Sequence, residues 1–287
     1  MTEVTDPVLI PCAEEGLPEP CEIRRAVSKL LDAADVRKPP VPLHRVAALQ
    51  GIRRIVVADL GTVDGWLVEE RGVLVAKLNR AAPPYRRRYS LAHEIAHTML
   101  GDTPASRWNA EHPRRPGAHR TARERACDAI AAELLLPYHL FQPRCRELGA
   151  SLAIVKRLAD DFDASLSATA IRMAELTSDP IIIARWAPVG PPQHLTLEWS
   201  TRSRTARGCY IPRGSSPPPG STPLRAIRQG GRVTGADNVT PGRRETHYTE
   251  SEAFGTKTTG FVLSMIHLGP RSKQALSRAT TTQGDAP

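Results

Sequence analysis

His93-Glu94-Ile95-Ala96-His97 decides how the rest of this chain is read. On a helix, residues four apart sit about 40° apart around the axis, so the two histidines point the same way. Two imidazoles on one face can hold two corners of a tetrahedral zinc ion. Glu94, between them, can take a proton from a water at that metal without being a ligand itself. The flanking residues suit a buried helix, because Tyr89, Ala92, Ile95, Ala96 and Met99 recur at spacings of three and four. Ser90 is expected to cap its start and Gly101 to end it. The competing reading is a surface helix that happens to carry two histidines.

A catalytic zinc site needs a third protein ligand and an open fourth position. One known extension adds Gly and His after the second histidine, but those offsets hold Leu100 and Thr103. Downstream, residues 124–136 form a helical pattern that stops at Pro137. Glu124 and Asp128 are four apart and share a face of it. Glu124 could complete the metal site, and Asp128 could hydrogen-bond a ligand histidine and fix its tautomer. On spacing alone, both could equally be solvated helix charges.

Two blocks together resemble one family. Arg88-Tyr89-Ser90-Leu91-Ala92-His93-Glu94-Ile95-Ala96-His97 is followed by Glu124 and then by Ala131-Ala132-Glu133-Leu134-Leu135-Leu136-Pro137. This pattern is similar to that of the ImmA/IrrE metallo-endopeptidases, over about residues 40–140. The resemblance implies that His93, His97 and Glu124 bind the metal and that Glu94 is the general base. It implies a zincin-like peptidase core and Zn2+ as cofactor, with Mn2+ the alternative. It also implies a protein substrate: a helix-turn-helix repressor or antitoxin-like protein cut at one site, in a stress or mobile-element response. Cys127 departs from the usual alanine and Ile130 from the usual aromatic. Neither is expected to touch the ligands.

Length and composition fit two domains plus tails, because 40% of 287 residues are apolar while aromatics are only 5% and prolines number 26. The net charge of +9 is uneven, since residues 201–245 hold nine arginines against Asp237 and Glu245. Such a region can meet nucleic acid or an acidic protein, or be a solvated surface, and the last is favoured. Cys12, Cys21, Cys127, Cys145 and Cys209 form no Cys-x-x-Cys pair, which argues against a cysteine zinc site and for a reducing compartment. No signal peptide is visible, and the aliphatic run Ile181–Ala184 is too short to span a membrane. A cytoplasmic location is expected.

In chain order, the expectation is an α+β protein. Residues 1–20 read as disordered or loosely docked, and 21–140 as the peptidase domain. Within it, helices are expected at 21–35 and 43–50, then strands at 53–59, 64–69 and 73–79 in an antiparallel sheet. The last strand is the candidate edge for an extended substrate. One of Arg86, Arg87 and Arg88 is expected to pair with a core carboxylate. Residues 101–121 read as a loop whose His119 or His112 could stabilise an oxyanion, as could Tyr138.

Residues 141–178 read as a helix-turn-helix-like segment with helices near 138–148, 151–161 and 165–176. From 142 to 176 five basic residues meet five acidic ones, a poor grip for phosphates, so direct DNA binding is not favoured. Residues 179–269 read as a small α/β or mostly β domain, for which the resemblance implies a sensor-like character. Its strands are expected at 181–186, 195–199, 208–211 and 261–268. Residues 270–287 read as a disordered tail. The competing function is a non-proteolytic regulator that binds DNA or a repressor through residues 138–245.

Overall fold

The computed structural model describes residues 7–10, 18–102, 121–190, 194–238, 245–255 and 260–269. The loop histidines His112 and His119 and the tail 270–287 lie outside the described residues. The fold is mixed α and β, as expected. It divides into two compact units, residues 1–141 with 159–165, and residues 142–158 with 166–287.

In the first unit, α1 (Pro20–Ala33) and α2 (Leu43–Leu49) precede three strands, β1 (Ile52–Ala58), β2 (Gly65–Glu70) and β3 (Val73–Asn79). Helices α3 (Pro84–Met99) and α4 (Ala122–Leu135) follow and pack on each other. The sheet order is β1-β3-β2, with β1 parallel and β2 antiparallel to β3. This corrects the expected all-antiparallel sheet and moves β3 from the edge to the centre. The reason lies in burial. Adjacent residues Val75 and Ala76 point to opposite faces, and both are fully buried, so β3 is covered on two sides. The β2–β3 turn is tight, with Arg71 at φ 54° and Gly72 at φ 76°, as a two-residue hairpin requires. The β1–β2 link is no hairpin. Asn79 Nδ2 donates to the Gly61 and Val63 carbonyls at 2.9 and 2.8 Å and pins it.

Helix α3 starts earlier than expected. Pro83 precedes it and Pro84 stands at its first position, where proline's fixed φ suits a helix and its missing N–H costs nothing. Ser90 is therefore no cap. It lies mid-helix, fully buried, and its hydroxyl has no hydrogen-bond partner among the described residues. Gly101, at φ 73°, ends the helix as expected. Arg86 meets Asp64 at 3.3 Å and Arg87 donates to the Ala82 carbonyl at 2.7 Å, while Arg88 makes the contacts most distant in sequence. Arg88 donates from Nε to the Asp163 carbonyl at 3.0 Å and from Nη2 to the Val41 carbonyl at 3.2 Å. Its carboxylate partner, Asp163 at 3.0 Å, is half exposed rather than a core acid. Burial lowers the Arg88 pKa, and the Asp163 charge works against that shift.

Helices α5 (Tyr138–Leu148), α6 (Leu152–Phe162) and α7 (Leu166–Leu176) lie where the sequence places them. The second unit is built on a five-stranded antiparallel sheet. Its strands are β4 (Ile181–Pro188), β5 (Leu195–Arg202), β6 (Arg232–Asp237), β7 (His247–Phe254) and β8 (Phe261–His267), in the order β5-β4-β8-β7-β6. Helix α8 (Thr222–Gln229) packs on it. The expected strand at 208–211 does not form. Cys209 and Ile211 are buried in the core, but their carbonyls are taken by the side chains of Arg202 and Ser200 rather than by a ladder. Strands β6 and β7 escaped the pattern because their inward residues are polar. Asp237 accepts from the Thr222 N–H and hydroxyl, Thr222 meets Ser251, Ser251 meets Ser264, and Ser264 accepts from Trp186. A satisfied buried network of this kind leaves no apolar alternation to read.

Two outcomes follow from this packing. Ser90→Ala should leave stability unchanged or raise it by about 1 kcal/mol, because it removes a buried hydroxyl that makes no bond; a helix cap would lose about as much. A urea melt separates the two. Burial also pushes the Cys145 thiol up to about 12, against the pull of Arg172. The stability tied to this neutral thiol is fully present below the unfolded thiol's ordinary pKa and is lost as pH climbs from there toward 12. At pH 8, iodoacetamide should label exposed Cys21 and spare Cys145 in the folded chain, as read by peptide mass spectrometry.

Candidate metal centre

Helices α3 and α4 bring the expected residues together. His93 Nε2 and His97 Nε2 are 3.1 Å apart. The Glu124 carboxylate reaches the same two atoms, with Oε2 at 3.3 Å from His93 Nε2 and Oε1 at 3.6 Å from His97 Nε2. Glu124 sits in the first turn of α4, where the Thr121 hydroxyl accepts its N–H at 3.1 Å and caps the helix. Both histidines are buried, while the Glu124 side chain is 35% exposed at the rim.

The outer nitrogens of both rings face carboxylates. Asp128 Oδ1 is 3.2 Å from His93 Nδ1 and accepts from the Tyr89 hydroxyl at 2.6 Å. Asp102 Oδ2 is 2.7 Å from His97 Nδ1. Arg123 Nε donates to Asp102 Oδ1 at 2.6 Å, and its Nη2 donates to the Leu100 carbonyl at 2.6 Å. Burial would raise the Asp102 pKa, but its bonds to His97 and Arg123 outweigh that and hold it below the usual carboxylate range. Asp102 hydrogen-bonds His97 Nδ1 and Asp128 approaches His93 Nδ1 without hydrogen-bond geometry, and an anionic group beside Nδ1 favours a proton there and a lone pair on Nε2. Two lone pairs facing each other beside a carboxylate repel, and a cation among them turns that repulsion into bonding. A tetrahedron about zinc, with corners 2.0–2.2 Å from its centre, has edges of roughly 3.3–3.6 Å. The separations here, 3.1 Å between the nitrogens and 3.3 and 3.6 Å to the two oxygens of Glu124, lie near that range.

Cys127 corrects an expectation. It is fully buried, as its place on α4 suggests, but its Sγ lies 3.4 Å from His97 Nδ1, so it does touch a member of the site. His93, His97 and Cys127 also form a cluster of possible ligands, their atoms within 4.8 Å of one another. Two three-residue sets are thus present. The Glu124 set matches the geometry better, because Glu124 approaches both Nε2 atoms while the sulfur approaches the nitrogen that Asp102 already takes.

Glu94 is 1% exposed, and β2 passes over it at Gly65. Tyr138, an expected oxyanion donor, packs its ring against the Arg24 guanidinium at 4.5 Å, and its N–H donates to Glu133. Three residues were not foreseen. Asp102 lies beyond the helix end and reaches back five residues, a spacing that carries no helical signal. Arg123, which holds it, stands in no motif that the sequence shows. Tyr89 read as part of the apolar stripe, and only its hydroxyl gives it a role.

An α+β unit with a His-Glu-x-x-His helix and a carboxylate-bearing partner helix is the frame of a metallopeptidase. Residues 54–174 match the IrrE N-terminal-like domain of peptidase family M78. The radiation response metalloprotease IrrE of Deinococcus radiodurans is 32% identical over 136 residues, 47% of this chain and 40% of that protein. The protein of the same name from Deinococcus deserti is 31% identical over 127 residues, 44% of each. The chain thus spans less than half the length of these curated relatives. A Mycobacterium tuberculosis transcriptional regulator shares the fold, with a TM-score of 0.56, 15% identity and coverage of 86% of this chain and 87% of that one. These matches support an ImmA/IrrE-type metallopeptidase domain over residues 54–174.

The two ligand sets give different outcomes. Glu124→Ala should weaken zinc binding by about a hundredfold or more, because it removes a donor from both contacts. Cys127→Ala should change it by less than about tenfold. Competition with a chromophoric chelator measures both.

Proposed function

We propose that this chain is a metal-dependent endopeptidase, with zinc the expected metal and manganese the alternative, that cleaves a protein at one site. The observation that carries this reading is the convergence of Glu124 on the same Nε2 atoms that His93 and His97 turn toward each other. His93, His97 and Glu124 hold the metal. When bound, it supplies Lewis acidity that acidifies a water and polarises a peptide carbonyl. Glu94, on the same helix and buried, takes the proton from that water and returns it to the leaving amine. Asp102, fixed by Arg123, and Asp128, fixed by Tyr89, keep the two rings in the tautomer that binds.

With β3 in the middle of the sheet, the edge strand beside Glu94 is β2. An extended substrate adds to that edge through backbone hydrogen bonds, which depend little on its side chains. The substrate class follows the family: a helix-turn-helix repressor or antitoxin-like protein whose loss releases stress-response or mobile-element genes. Such a role belongs in the cytoplasm. The exposed and buried free thiols suit a reducing compartment, and no described helix is long and apolar enough to cross a membrane.

The test pairs wild type with Glu94→Gln in cells of the source organism and compares new protein N-termini by mass spectrometry. A new N-terminus seen with wild type and missing with Glu94→Gln, at equal metal content and equal melting temperature, is the expected outcome. Identical N-terminal profiles from the two forms would sink the peptidase reading.

A further inference from the structure

The glycines of this domain are of two kinds. Gly61 and Gly72 have positive φ and open space where a side chain would go, so they serve turns. Gly65, the first residue of β2, is different. Its φ lies outside the left-handed region, so its backbone would accept any residue. What it lacks is room. A Cβ there would stand 3.0 Å from Ser90 Cβ, 3.3 Å from Glu94 Oε1 and 3.6 Å from the Lys77 carbonyl oxygen. A glycine in a strand is expected where another group approaches closely, and here that group is the carboxylate of Glu94.

The strand cannot easily back away. Gly65 pairs with Leu78 on β3, and the Asn79 N–H donates to the Asp64 carbonyl at 3.0 Å. The Asn79 side chain holds the link before it at Gly61 and Val63. Asp64 also pairs with Arg86, in the first turn of α3, at 3.3 Å. Ser90, on the helix side, is fully buried and cannot yield outward. The start of β2 and the middle of α3 are therefore clamped together, and the missing Cβ is the space that lets Glu94 lie between them.

The geometry points to Gly65 as a positioning residue that sets where the Glu94 carboxylate stands relative to the metal site. This rests on the reading of Glu94 as general base, and it adds a residue outside the His-Glu-x-x-His helix to the catalytic arrangement. Any side chain at 65 displaces the carboxylate by some tenths of an ångström while leaving His93, His97 and Glu124 in place. Catalysis depends on such placement far more than binding does.

The experiment uses Gly65→Ala in the full chain, with Glu94→Gln as reference. Metal content and melting temperature are measured first, then the visible spectrum of the cobalt-loaded protein. Last come kcat and KM on a peptide spanning the cleavage site found as above. The expected result is wild-type metal content, a cobalt spectrum shifted in the direction that Glu94→Gln shifts it, kcat lower by about ten- to a hundredfold and KM within about twofold. Adding Ser90→Gly, which removes the 3.0 Å contact, should restore part of both the spectrum and kcat. Wild-type spectrum and kcat in Gly65→Ala would overturn the inference. Should Gly65→Ala fold poorly, the double variant carries the same readings, and a wild-type cobalt spectrum and kcat in it, without the single variant's fold loss, would mark Gly65 as merely structural. If no peptide is cut by wild type, the peptidase reading fails on its own, and the cobalt spectrum still decides whether Gly65 sets the surroundings of the metal.

Discussion

The Nε2 atoms of His93 and His97 stand 3.1 Å apart in a buried place with the Glu124 carboxylate beside both, and much of the first unit packs around them. Left to themselves, rings at this distance would turn apart or exchange a proton. Asp102, bonded to His97 Nδ1, and the Asp128 charge, 3.2 Å from His93 Nδ1, oppose this. Each carboxylate is itself restrained, one by Arg123 and the other by Tyr89. The restraint runs across both helices: Tyr89 and the histidines come from α3, Arg123, Glu124 and Asp128 from α4. The packing of α3 on α4 is thus part of the chemistry, since sliding one helix by a turn would break every one of these contacts together.

The sheet contributes from the other side. A strand covered on both faces, β3, forces the β1–β2 link to pass around its end, and Asn79 fastens that link from within β3. The fastened link sets β2 at its height over α3, and Gly65 lets it come close. Contacts between residues far apart in sequence, Asp64 with Arg86 and the Asn79 side chain with the Val63 carbonyl, so decide how near a strand stands to Glu94.

The second unit solves a different problem. Its sheet buries hydroxyls and carboxylates beside its apolar cluster, and a chain of hydrogen bonds from Asp237 to Trp186 links several of them. Buried polar groups cost free energy unless bonded, so this network fixes one register for β6, β7 and β8 more tightly than aliphatic packing would.

The sequence by itself determined what is local. Spacing of four on a helix put His93 and His97 on one face, and a helix that stops at a proline put Glu124 and Asp128 on another. The three helices from 138 to 176 were legible because their apolar residues recur at helical spacing. Only the tertiary structure decided what depends on contacts between distant segments. Asp102 reaches back across a helix end, β3 lies inside the sheet rather than at its edge, and Cys127 touches His97 after all. Ser90, a plausible cap by composition, is a buried mid-helix residue because Pro84 starts the helix earlier. Strands β6 and β7 stayed hidden because their inward residues are polar and find each other only in three dimensions. In each case the deciding energy is a pairing between residues far apart in the chain, and no local pattern encodes it.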